Sequence, residues 1–117
     1  MDPILEHHYR NLAEGKAHKN DDGSISTVYT AQVDLDGVPT LIPTVWDGQI
    51  LPVMTSDAKE KSAVKEAIKS GIKWPTAPTH TELRKYDEKL HKEMKQMSPE
   101  EARQFLKVLK AGKNDNF

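Results

Sequence analysis

The sequence contains no cysteine, which excludes disulfide staples, thiolate nucleophiles and cysteine metal sites, and removes the usual guide to redox compartment. No apolar run approaches the roughly 20 residues of a membrane-spanning helix. The acidic opening Met1-Asp2-Pro3-Ile4 lacks a signal-peptide core. The expectation is a chain made and kept in a cytoplasm until its final use. A surplus of either charge is also missing, since 17 Lys and Arg stand against 18 Asp and Glu, a formal net charge of −1. That balance gives no phosphate-gripping field of the kind nucleic-acid binding requires. Apolar residues are scarce, at 36 % of 117, below the roughly 45–50 % of ordinary globular chains even with glycine counted. The length suits one compact domain with a thin core, either marginally stable alone or completed by a partner.

What is present divides at clear punctuation. Asp2 as N-cap, Pro3 at the first helical position and Gly15 just past the end predict a short helix with Ile4, Leu5, His8 and Leu12 as its apolar stripe. Lys16 to Ser24 is polar and turn-forming, and reads as a linker or loop.

Two runs rich in Thr and β-branched residues flank Asp36-Gly37, the strongest hairpin signal in the chain. A two-residue turn there pairs Leu35 with Val38, Val33 with Thr40, Ala31 with Ile42, Tyr29 with Thr44 and Thr27 with Trp46. One face then carries Leu35, Val33, Ala31, Tyr29, Val38, Ile42 and Trp46, while the other mixes Asp34, Gln32 and Thr30 with Leu41 and Val45. In this register Pro39 and Pro43 fall where N–H groups point away from the partner strand, the positions at which proline is tolerated. The second strand is therefore expected to be a sheet edge, blunted against further pairing. Asp47-Gly48 marks a second turn, but a regular ladder beyond it sets Pro43 opposite Pro52, so only a bend or brief bridge is expected.

From Thr55 the period becomes helical. Asp57 with Glu60 forms a capping-box pair, and Val64, Ala67 and Ile68 form a buried stripe before Gly71. Ile72 to Pro78 is an extended connector, because Pro75 and Pro78 disfavour helix before them. Thr79 with Glu82 opens a helix with stripe Leu83, Tyr86, Leu90, Met94 and Met97. Ser98, Pro99 and Glu101 start another, burying Ala102, Phe105, Leu106 and Leu109 and ending at Gly112, with Lys113 to Phe117 frayed. The fold expected is α+β, a small antiparallel hairpin or meander packed with three to four helices. It divides as 1–24, N-terminal helix and polar linker; 25–97, core α+β domain; 98–117, C-terminal helix and frayed tail.

Candidate chemistry is sparse. His7 and His8 are adjacent and diverge by about 100° on a helix, a poor start for a shared metal, and no HExxH or His-x3-His spacing exists. Asn20 to Ser24 resembles a calcium loop, but Tyr29 stands where a bidentate glutamate belongs. No serine lies in a GxSxG setting, and Asp34, Asp36 and Asp47 sit in or near turns. The basic residues from Arg84 to Lys95 are interleaved with acids, as on a salt-laced solvent face. No catalytic residue, metal site or cofactor is assigned. Trp46 and Trp74 remain, either buried against each other or anchoring a partner, since tryptophan is over-represented among interface hot spots.

Asp22-Gly23-Ser24-Ile25-Ser26-Thr27-Val28, then Asp36-Gly37, then Leu41-Ile42-Pro43-Thr44-Val45-Trp46-Asp47-Gly48 form a pattern similar to one in virion and internal, ejected proteins of tailed bacteriophages. Ala67-Ile68, Ser70-Gly71, Trp74-Pro75, Thr79, Glu82, Tyr86 and Leu90-His91 resemble its continuation, so the likeness spans roughly residues 20 to 92. Trp74-Pro75 stands where many relatives have a Gly-rich turn. The resemblance implies a non-catalytic virion-associated structural or ejected protein that binds other phage structural proteins, self-association included. Its location would be the virion, with passage through the host cytoplasm during assembly. The partner-binding residues expected are Trp46, Asp47, Gly48, Trp74 and Pro75. Alternatives are a phage-encoded effector binding a host protein and an accessory hydrolase.

Overall fold

The structure, a computed structural model, describes residues 1–114 and side chains as far as Leu109. It holds four helices and three antiparallel two-stranded hairpins, the expected α+β class. Helix α1 (Pro3–Glu14) begins where the Asp2 carboxylate accepts the Ile4 N–H at 2.7 Å. It ends with Gly15 at φ 67°, the left-handed conformation that glycine adopts without steric cost. There the Gly15 and Lys16 N–H groups close onto the Leu12 and Asn11 carbonyls, a Schellman closure.

The 16–24 segment is more than a linker. Strands β1 (His18–Lys19) and β2 (Ile25–Ser26) pair antiparallel across it. Its turn is held locally, with the Asp22 carboxylate accepting the Ser24 N–H at 2.9 Å, the role aspartate favours in turns.

Strands β3 (Ala31–Leu35) and β4 (Val38–Ile42) pair in the expected register, from Leu35–Val38 to Ala31–Ile42. Asp36 and Gly37 take φ 53° and 78°, as a type I′ turn requires. The two further pairs expected, Tyr29–Thr44 and Thr27–Trp46, do not form. The chain turns out of the ladder at Tyr29, φ 40°, and the Thr44 hydroxyl takes the Tyr29 carbonyl at 2.6 Å in place of a backbone bond. The Thr44 and Val45 N–H groups both go to the Val28 carbonyl, at 2.8 and 3.3 Å. The face assignment changes accordingly: Tyr29 and Val38 are exposed, whereas Leu41 and Val45 of the mixed face are fully buried.

Both faces of this hairpin are covered. Helix α2 (Ala63–Lys69) and Trp74 lie on the Leu35–Val33 side, and α3 (His80–Glu93) lies on the other. The α3 side is fixed by polar contacts: His80 to Gln32 and Asp34, and Thr30 to Asp87. Nor is the proline-marked edge free of pairing. Leu41, the one residue between Pro39 and Pro43 on that edge with an outward N–H, donates to the Pro75 carbonyl at 2.9 Å. Ala77 donates to Pro39 at 3.2 Å, which makes a single antiparallel bridge, Thr40–Thr76. Prolines limit pairing there to one rung; they do not abolish it.

Strands β5 (Val45–Trp46) and β6 (Gln49–Ile50) form the brief bridge expected around Asp47-Gly48, two pairs long. Helix α2 starts later than Asp57. Its N-cap is Ser62, which accepts the Lys65 N–H, and its first N–H groups, Ala63 and Val64, donate to Pro52 and Val53. Asp57 caps only a local turn at Lys59, and Lys65 Nζ occupies the Asp57 and Glu60 carbonyls that a helix there would need. Ile68, expected to be buried, is 64 % exposed.

Helix α3 follows its Thr79 cap as expected, with Leu83 and Leu90 buried, but ends at Glu93, which leaves Met94 and Met97 beyond it. Tyr86 is exposed, and its hydroxyl donates to the Asp2 carboxylate. Helix α4 (Pro99–Asn114) begins at the Ser98–Glu101 capping box, with both reciprocal bonds at 3.1 Å. It runs through Gly112, because an interior glycine costs only about 1 kcal/mol against alanine and does not stop a helix. Of the tail expected to fray, residues 113–114 are helical and 115–117 lie outside the described residues.

The main core joins Ile4 of α1 to Val28, Val33, Leu41, Ile42, Trp74, Leu83 and Leu90. A second cluster packs Ala102, Phe105 and Leu106 of α4 on Tyr9, Leu12 and Ala13 of α1.

Candidate functional site

Short, irregular strands leave carbonyl groups that no ladder satisfies, and a buried carbonyl without a donor is costly. Helix α1 supplies the donors from three buried polar residues. His7 Nε2 donates to the Val45 carbonyl at 2.8 Å, and Asn11 Nδ2 donates to the Thr27 carbonyl at 2.7 Å. His8 Nε2 donates to the Lys95 carbonyl at 2.9 Å, while its Nδ1 faces the Thr27 hydroxyl. The carbonyl partners place a proton on Nε2 of each histidine. Burial is the first cause that lowers both pKa values below the ordinary histidine value of 6.5. The divergence of His7 and His8 on the helix sends one ring toward the β5–β6 turn and the other toward the α3–α4 junction.

At the β5–β6 turn His7 meets both tryptophans. Its ring lies 4.7 Å from Trp46, tilted by 57°, and 6.0 Å from Trp74, edge-on. The two indoles stand 6.2 Å apart and nearly perpendicular, a favoured aromatic geometry. Burial against each other is thus their first role. Each indole N–H is used internally, Trp46 donating to Pro43 and Trp74 to Ala67.

Two concavities flank this aromatic pair, with Ile72 in the lining of both. On the Trp46 side is a half-open cavity of about 350 Å³, with His7, Asn11, Trp46, Asp47 and Ile72 in its lining. On the Trp74 side is a groove of about 400 Å³ between the β3–β4 turn and α2, lined by Leu35, Val38, Ile68, Ile72 and Trp74. Of the five residues singled out in the sequence, three line these concavities, and Gly48 and Pro75 line neither. Trp46 and Asp47 line the cavity, and Asp47 is exposed and ion-paired to Lys16 at 3.2 Å. Gly48, at φ 78°, shapes the turn and accepts from His18 Nδ1 at 3.1 Å. Trp74 is buried as the groove floor, and Pro75 serves the bridge to β4. Sequence reading missed His7, Asn11, Ile68 and Ile72. The one local signal was the i,i+4 spacing of His7 and Asn11 on α1.

A third cluster, Thr30, Asp87 and His91, is arranged unlike a catalytic relay. The Thr30 hydroxyl donates to Asp87 at 2.8 Å, and His91 Nε2 contacts the same carboxylate at 3.1 Å. A relay requires the imidazole to bridge hydroxyl and carboxylate through its two nitrogens, whereas His91 Nε2 faces both, with the Thr30 hydroxyl at 3.3 Å. Among the described residues no group of three or more His, Asp or Glu side chains converges to hold a metal, and no helix is long and apolar enough to cross a membrane. Comparison with protein-family models, with curated proteins and with solved structures finds no match to this chain.

Proposed function

We infer that the chain is a non-catalytic, virion-associated protein of a tailed bacteriophage, structural or ejected, that binds neighbouring phage proteins. The phage assignment rests on the motif running from Asp22 to Gly48. The binding assignment rests on the Trp74 groove. Val38, Ile68 and Ile72 are 42 %, 64 % and 37 % exposed, and all three line one concavity floored by an indole. A chain with so small an apolar share that leaves three large aliphatic side chains together at its surface has the composition of a docking strip. The occupant is an apolar segment of a neighbouring virion protein, seated between the β3–β4 turn and α2 with Trp74 beneath it.

Mass spectrometry of purified particles tests the assignment. The chain is expected in the virion at a fixed copy number after gradient purification. Its absence from particles, with abundance confined to the infected-cell lysate, overturns the reading in favour of a free effector.

A further inference from the structure

The cavity on the Trp46 side has chemistry that partner docking does not use. His7 and Asn11 are 8 % and 6 % exposed, and both line it. Because His7 Nε2–H is committed to Val45, Nδ1 carries a lone pair. Because both hydrogens of the Asn11 amide nitrogen point toward the Thr27 and Val45 carbonyls, Oδ1 is left as an acceptor. Among the described residues neither acceptor has a hydrogen-bond partner, yet no buried side-chain polar atom is left unsatisfied. Each atom therefore keeps solvent-accessible surface, in a residue that lines the cavity. The two residues stand one helical turn apart, with β-carbons spaced by about 5–6 Å. A ligand that uses both must bring two hydrogen-bond donors.

The remaining lining narrows the class. Three cations, Arg10, Lys16 and Lys61, face three carboxylates, Glu14, Asp47 and Glu66, so the lining carries no net charge. Lys16 is already ion-paired to Asp47 and Glu14 at 3.2 and 3.6 Å. An ammonium or a phosphate gains little from such a rim. Trp46 lines the cavity with its single polar atom bonded inward to Pro43 at 3.0 Å, so it presents only hydrocarbon. An aromatic surface, two unpartnered acceptors and no net charge match a molecule with one apolar face and an equator of hydroxyl groups. The volume of about 350 Å³ lies in the small-ligand range of roughly 300–1,000 Å³.

We propose that this cavity binds a neutral saccharide, one pyranose ring seated against Trp46 with hydroxyl groups donating to His7 Nδ1 and Asn11 Oδ1. The cavity and the docking groove share Ile72 but differ in their tryptophan, Trp46 in one and Trp74 in the other, so saccharide binding and virion association are separately testable. No bond is made or broken.

The test is a nitrogen-edited NMR titration of the full chain with glucose, N-acetylglucosamine and their β-1,4-linked dimers, with glycerol and methylammonium as comparison probes. The expected result is a saturable shift of the Trp46 indole N–H and the His7 ring nitrogens with a saccharide, while the Trp74 indole moves less. A ligand of this size is expected to dissociate at a concentration on the order of 1 mM. Trp46→Leu, with its melt checked against wild type, is expected to weaken binding at least about tenfold, roughly the loss of one good aromatic contact. The wild-type shifts stand without the variant if that protein unfolds. Absence of a saturable shift with every saccharide overturns the proposal, as does an equal response to glycerol or a preferential response to methylammonium at the same residues.

Discussion

His7, His8 and Asn11 do at single-residue scale what regular sheet does elsewhere, which is to supply donors for buried carbonyls. Their cost appears with pH. Both histidines are neutral in the folded protein with pKa values lowered by burial, so the unfolded chain takes up protons more readily than the folded one. Their stabilisation is fully present above the unfolded value of about 6.5 and is lost as pH falls from there through the lowered folded values. Carboxylates titrate near 4 when unfolded, so the window between about pH 6.5 and 5 reports on histidine. Urea midpoints are expected to fall across that window, and less steeply in His8→Gln. A flat profile would contradict the neutral, buried assignment. Asn11→Ala leaves the Thr27 carbonyl, accepted at 2.7 Å, without its donor. It is expected to cost about 1–3 kcal/mol by chemical denaturation.

At the scale of elements, the parts of the fold written in local chemistry were legible. Asp36-Gly37 specified both a turn and a register, because a type I′ turn needs positive φ at two residues and a two-residue loop fixes which side chains oppose. The caps at Asp2, Thr79 and Ser98 did the same for three helices. What failed was decided by distant partners. Asp57-Glu60 reads as a helix start, but the N–H groups that begin α2 are satisfied by Pro52 and Val53, so the helix starts at the Ser62 cap. Ser62→Ala is accordingly expected to cost about 1 kcal/mol. Asp57→Ala, at an exposed local turn, should stay within about 0.5 kcal/mol; equal effects would return the helix start to Asp57. The edge of β4 was likewise half legible. Prolines marked it, but the donor at Leu41 finds the Pro75 carbonyl 34 residues away in sequence, beyond any local pattern. The Leu41 amide is expected to resist hydrogen exchange despite its outward orientation. Exchange as fast as in an exposed loop would contradict the bridge.

For the molecule as a whole, α1 is the shared support. It gives Ile4 to the main core, Tyr9, Leu12 and Ala13 to α4, and His7 to the two tryptophans. None of this followed from the thin apolar composition, which showed that a core would be small without showing which helix would join its parts. The candidate site was legible only as two tryptophans. That they form one pair, with a polar cavity at one and an apolar groove at the other, depends on packing between residues 7, 46 and 74. The groove carries the functional account, so the decisive measurement is incorporation of Ile68→Asp into particles beside wild type. Ile68 is 64 % exposed, so the substitution should leave the isolated chain's stability within about 0.5 kcal/mol. The account predicts an unchanged melt with virion copy number reduced at least about tenfold, as expected when a charge is forced into a desolvated contact. Normal copy number in particles carrying the variant would contradict it.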